Sequence, residues 1–159
     1  MKLTPGQRIW IDKVLAALDA AEAGPSEEDL AGAPVLDCWR PFFSGRGTPI
    51  LWGIVSGHPH LRDYDHITTS PLVALDGQNT WARTVSRWYR LAQPFAEFEA
   101  ELAKGLNMKK ASGFLQFDIP GSEPLDDRAL LDRLLAAYGE RIRVLDAEDR
   151  EGRDQQDGE

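Results

Sequence analysis

The chain opens in a helical rhythm and changes period near residue 50. Ile11, Val14, Leu15 and Leu18 recur at the three- and four-residue spacing that lines one helix face. Thr4-Pro5-Gly6-Gln7 supplies the start, with a threonine cap, a proline suited to the first turn and a glutamine that completes a capping box. Gly24-Pro25 stops the element. Ser26 then opens a second short helix, with Glu27, Glu28 and Asp29 near its positive end, limited by Gly32 and Pro34. Asp37–Pro49 is rich in Pro, Gly and aromatics and reads as an ordered loop packed on the core.

Ile50–Ser56 is apolar and β-branched enough for a strand, ended by Gly57-His58-Pro59. Ile67–Leu75 reads as another, with Pro71 marking an edge or a bulge. Asp76-Gly77-Gln78-Asn79 has turn chemistry, and Trp81–Leu91 reads as the returning strand. A helix over Trp81–Leu91 is the rival reading; Thr84, Val85, Trp88 and Tyr89 favour the strand. Helical spacing resumes from Pro94 to Lys104, Leu115–Ile119 alternates as a short strand, and Pro124–Tyr138 predicts a helix ending at Gly139. Ile142 and Val144 suggest a last strand beside Leu115–Ile119.

These elements predict an α+β fold: an N-terminal helix, a three-stranded antiparallel meander, and C-terminal helices with a small strand pair. Four stretches follow: a helical segment over 1–36, a β-rich module over 37–93, an α/β segment over 94–146, and an acidic tail over 147–159. The tail has almost no apolar residues, which predicts disorder.

Charge changes the picture by its placement. The net charge is −8 over 159 residues. Residues 1–36 hold three basic and six acidic side chains, residues 37–95 hold six arginines and four aspartates, and residues 96–159 hold nine basic and sixteen acidic groups. An arginine-bearing centre is thus flanked by acidic arms, and the overall field opposes nonspecific binding to duplex nucleic acid. One cysteine, Cys38, excludes an internal disulfide, and the N-terminal region lacks the apolar run of a signal peptide. No apolar run spans a bilayer. A cytoplasmic protein with no membrane partner is expected; the oligomeric state is not legible.

Candidate chemistry concentrates between Leu51 and Leu91, which holds every histidine and three of the five tryptophans. Trp81, Arg83, Arg87, Trp88 and Arg90 form a candidate partner-binding set, since guanidinium forks grip phosphate or carboxylate and such aromatics recur at interface hot spots. The plainer reading puts the tryptophans in the core under arginine stems. His58, His60, Asp63, Asp65 and His66 have metal-ligating chemistry, but their spacing matches no zinc signature; a solvated loop is the plainer account. Ser44-Gly45-Arg46-Gly47-Thr48 is glycine-rich but lacks the lysine and strand-to-helix setting of a phosphate loop. Thr68, Thr69, Ser70, Thr84 and Ser86 read as cross-strand hydrogen-bonding residues, with no nucleophile elbow among them. No cofactor-binding motif and no catalytic set stand out.

Leu36-Asp37-Cys38-Trp39-Arg40-Pro41, Gly57-His58-Pro59-His60-Leu61, Thr69-Ser70-Pro71, Trp81-Ala82-Arg83-Thr84 and Ser86-Arg87-Trp88-Tyr89-Arg90-Leu91 together resemble a family of short, functionally uncharacterised bacterial proteins. The resemblance covers about the middle half of the chain and implies a compact module, often encoded in mobile or accessory gene content. It assigns no activity to any residue. The leading expectation is therefore a non-enzymatic binding or regulatory protein that meets a protein or nucleic acid through the Arg/aromatic set. Two alternatives remain: an acidic, phosphate-mimicking inhibitor of a nucleic-acid-handling complex, and a metal-dependent hydrolase using His58, His60, Asp63 and His66.

Overall fold

The structure is a computed structural model that describes residues 2–106 and 119–158. It has α+β architecture. The helix α1 spans Pro5–Ala23, α2 Glu27–Ala31, α3 Phe95–Gly105 and α4 Arg128–Asp157. Strands β1 (Val35–Phe43), β2 (Pro49–Ser56), β3 (His66–Thr68), β4 (Leu72–Leu75), β5 (Trp81–Thr84), β6 (Trp88–Leu91) and β7 (Glu123–Pro124) form one mixed sheet in the order β3-β2-β1-β6-β5-β4. β7 pairs with the far end of β1, and β1 and β6 run parallel. The two ends of this path, β3 and β4, are separated by only Thr69-Ser70-Pro71, so the chain itself closes the run of pairings.

The start signals work as expected. The Thr4 hydroxyl accepts from Gln7 N, and Gln7 Oε1 accepts from Thr4 N at 2.9 Å. Ser26 and Asp29 repeat the same reciprocal cap on α2. The turn after β4 also forms, with Asn79 in the left-handed region and its amide donating to the Asp76 carbonyl.

Several expectations are corrected. Asp37–Pro49 is mostly strand: β1 is the central ladder element, and its aromatic Trp39 and Phe42 are buried. A bulge between Asp37 and Arg40, with Cys38 at φ 51°, disguises the alternation that would have marked it. Ile67–Leu75 breaks at Pro71 into β3 and β4, since proline cannot donate to a ladder. The meander is therefore part of a seven-stranded sheet. The strand expected at Leu115–Ile119 lies outside the described residues except for Ile119, which is in no strand.

At the C-terminus, Pro124 is in β7 and the helix begins after Asp127, whose carboxylate accepts from Ala129 N and Leu130 N. It does not stop at Gly139. A Cβ there would sit 3.4 Å from Leu18 Cδ2, so this glycine is a close packing point of α4 on α1. Ile142 and Val144 are helical rather than extended, and 147–157 continues the helix instead of forming a disordered tail. Ion pairs one turn apart, Arg150–Asp146 and Arg153–Asp149, supply the polar support that an apolar face does not.

Two apolar clusters hold the layers together. Leu36, Leu51, Val55, Leu72, Ala82 and Tyr89 from the sheet meet Leu131 and Leu135 of α4. Ile11, Val14 and Leu18 of α1 meet Val73, Val85 and Ile142. Gly53 allows β1 to approach, since a Cβ there would lie 2.5 Å from Leu36 Cγ. Among the described residues, no helix is long and apolar enough to cross a membrane.

Candidate interaction surface

The segment Trp81–Leu91 is two strands and a turn, neither one strand nor a helix. Thr84 makes the reversal. Its side chain is fully buried, its hydroxyl donates to the Arg87 carbonyl, and the same oxygen accepts from Ser86 N and Arg87 N. The Thr84 amide donates to the Arg87 carbonyl as well, at 3.0 Å. The cross-strand role expected of Thr84 is thus a turn-closing role.

This turn decides which residues share a face. Trp81 pairs with Arg90, Ala82 with Tyr89 and Arg83 with Trp88. Ala82, Thr84 and Tyr89 point into the core, leaving Trp81, Arg83, Trp88 and Arg90 together on the outer face. A single strand would have split them between opposite faces. Four of the five residues in the candidate set are brought together, and Arg87 sits at the turn beside them.

On that face the Trp81 and Trp88 rings meet edge-on with centroids 5.4 Å apart, and the Arg83 guanidinium lies 5.0 Å above Trp88. Trp88 is buried beneath these neighbours, while Trp81 remains half-buried. Trp88 is thus covered on the outer face by Trp81 and Arg83 and belongs to neither apolar cluster. Burial lowers the Arg83 pKa, and Asp29 of α2 partly opposes this through its charge. Arg83 Nε is buried without a hydrogen-bond partner. Arg90 is exposed, and its Nε and one terminal nitrogen donate to the Ala33 carbonyl at 3.2 and 3.1 Å. The Arg87 guanidinium has no hydrogen-bond or ion-pair partner among the described residues.

Sequence reasoning missed α2 as part of this surface. Asp29 faces Arg83, but its carboxylate is held by the Ser26 amide and hydroxyl, which depress its pKa ahead of any influence of the arginine. The signal was present in the Ser26-x-x-Asp29 spacing, which commits that carboxylate to a cap.

The Gly57–Leu61 loop borders the same corner. His58 Nδ1 accepts from His60 N and Leu61 N at 3.0 and 3.1 Å. Burial lowers the His58 pKa, followed by the positive charge of Arg87 and by His60. The loop and the β5–β6 turn are thus electrostatic neighbours despite their distance in sequence. The alternative metal set is not assembled among the described residues, however. His66 stacks edge-on to Trp52, Asp63 accepts from Gly57 N, and among the described residues no three such side chains converge as metal ligands.

Arg46, Arg62, Arg133 and Arg141 have no carboxylate within ion-pair distance among the described residues, whereas several other arginines do. Arg8 donates to Asp12, Asp146 and Asp149; Arg40 pairs with Asp126, Arg128 with Asp132, and Arg143 with Glu22. None of the three hairpin arginines has a carboxylate within ion-pair distance among the described residues. A family model described as "Family of unknown function (DUF6634)" matches residues 1–156. No curated protein and no solved structure matches the chain.

Proposed function

Since the chain belongs to this family of unknown function, its relatives lend it no activity, and we propose from its geometry that it is a non-enzymatic binding module for a protein partner. The hairpin face, with Trp81, Arg83, Arg87 and Arg90, would receive an acidic segment of that partner. The carrying observation is that three arginines gathered with Trp81 and Trp88 at one hairpin have no carboxylate partner among the described residues, in a chain with a large acidic excess. A carboxylate from outside would supply the charged hydrogen bonds that Arg83 and Arg87 lack.

A protein partner fits this face better than a nucleic acid. Trp88 is covered by Trp81 and Arg83, so it offers no open ring for base stacking. The net charge of −8 also repels a polyanion at long range, whereas a short acidic segment feels chiefly the local arginines. The test is an NMR titration with a ten-residue peptide of alternating glutamate and tryptophan, beside a labelled single-stranded oligonucleotide. Saturable shifts at Arg83, Arg87 and the Trp81 indole, lost in Arg83→Glu/Arg87→Glu, are the expected result. Binding of the oligonucleotide alone would move the assignment to nucleic acids, and no shift at the hairpin with either probe would defeat it.

A further inference from the structure

A second feature, separate from the hairpin face, is a cleft of about 860 Å³ between the helical layer and the rim of the sheet. Trp10 of α1 and Tyr138 of α4 form one wall. The β1–β2 turn, with Arg46 and Thr48, forms the other, and Thr68 and Ser70 come from the bend between β3 and β4. The volume lies in the range of small-molecule sites.

The lining has a consistent chemistry. Among the described residues, Arg46 is the one charged side chain in it, is exposed, and has no hydrogen-bond or ion-pair partner. Thr68 is exposed, and its hydroxyl has no partner among the described residues. The Ser70 oxygen accepts from Ser86 N, which leaves its own proton to donate. The Tyr138 hydroxyl is buried beside the Trp10 indole without completing a hydrogen bond. A buried hydroxyl left unpaired is costly, which makes this wall receptive to an acceptor. No carboxylate lines the cleft among the described residues. The polar groups are thus a guanidinium and hydroxyls able to donate, facing an indole that is 39% exposed.

We propose that this cleft binds a small phosphate monoester carrying a planar ring, with the phosphate on Arg46, Thr68 and Ser70 and the ring against Trp10. A phosphate offers several acceptor oxygens and negative charge, which this donor set matches. An indole face presents the apolar surface that a planar ring covers. The site is independent of the hairpin reading, because none of the hairpin arginines lines it.

The test titrates the whole chain, followed by NMR, with adenosine 5′-monophosphate, inorganic phosphate and adenosine. The monophosphate is expected to bind saturably and to shift the amides of Arg46, Thr68 and Ser70 with the Trp10 indole. Inorganic phosphate should shift the first group more weakly, and adenosine chiefly the indole. Arg46→Gln, on an exposed turn, should leave the spectrum folded and weaken the monophosphate by about tenfold or more. Trp10→Leu should weaken the monophosphate and spare inorganic phosphate. No saturable shift in the cleft at about 10 mM monophosphate, or unchanged affinity in folded Arg46→Gln, would overturn the site. Equal affinity for inorganic phosphate and the monophosphate would overturn its ring-binding half. Retained monophosphate binding in Arg83→Glu/Arg87→Glu is expected, and its loss would overturn the independence of the two sites.

Discussion

Two groups of arginines use the same side chain for opposite ends. At the junction of α1 and α4, Arg8 reaches Asp12 at 2.6 Å, Asp146 at 2.7 Å and Asp149 at 3.1 Å. Asp149 is fully buried and also accepts from Leu3 N at 2.8 Å, so this one carboxylate ties the start of the chain to its last helix. At the β5–β6 hairpin, among the described residues, Arg83, Arg87 and Arg90 find an aromatic ring, no partner and a backbone carbonyl respectively. The difference teaches that a neutralised guanidinium in this chain is part of the scaffold. Arg83 and Arg90, which have no carboxylate partner among the described residues, are held by an aromatic ring and a backbone carbonyl that leave their charge available.

The comparison can be broken first at the scaffold end. Arg8→Ala strips Asp149 of its main helix-to-helix partner, and a charge buried without its partner destabilises strongly. Thermal unfolding should show a fall in Tm on the order of 5 °C or more. An unchanged Tm would mean that the pairing is ornamental.

Acid should act on the same place. The Leu3 amide, then Arg8 and Arg153, hold the Asp149 carboxyl below the ordinary aspartate value of 3.8. Burial pushes Asp146 up, but hydrogen bonds from Arg8 and Arg150 leave it lowered as well. A depressed folded pKa means that the unfolded chain takes up the proton first. The stabilisation is therefore complete above about pH 5 and drains away as pH falls through 3.8 toward the folded values. Denaturation midpoints across that window should drop steeply in the native chain and more shallowly in Asp149→Asn.

A smaller effect is expected at the edge of the scaffold. Thr4→Ala removes the α1 cap and should cost about 1 kcal/mol in chemical denaturation. Smaller still is the effect at the hairpin corner. His58 accepts two amides at Nδ1 and has a lowered pKa, so its share of stability is present above 6.5 and is lost as pH falls below that value. His58→Ala should flatten the slope of stability between pH 7 and pH 5. Last comes Arg83→Ala/Arg87→Ala, which should change stability by less than about 1 kcal/mol, since it removes one cation–π contact and no ion pair. A loss as large as that of Arg8→Ala would erase the distinction between the two groups.

The legibility of these features followed how local their causes are. The caps at Thr4 and Ser26 and the turn at Asp76–Asn79 were readable because each is settled within a few residues. The strand β1 was hidden because the bulge at Cys38 breaks its period, and the extent of α4 was hidden because Arg8 and Leu3, more than a hundred residues away, hold its far half. The candidate arginines and tryptophans were visible as residues, but their shared face depended on the Thr84 turn. The cleft was not visible at all, since α1, α4, a hairpin turn and a strand bend meet only in three dimensions.

The most direct test of the contrast is a measurement of local electrostatic potential. Paramagnetic relaxation of backbone amides by an anionic and by a cationic nitroxide gives the potential near each residue. Amides from Arg83 to Trp88 should relax faster with the anionic probe, while those around Arg8 and Asp149 should favour neither probe or the cationic one. Equal or cation-favouring relaxation at the hairpin would contradict the account, because it would show that its arginines are neutralised after all.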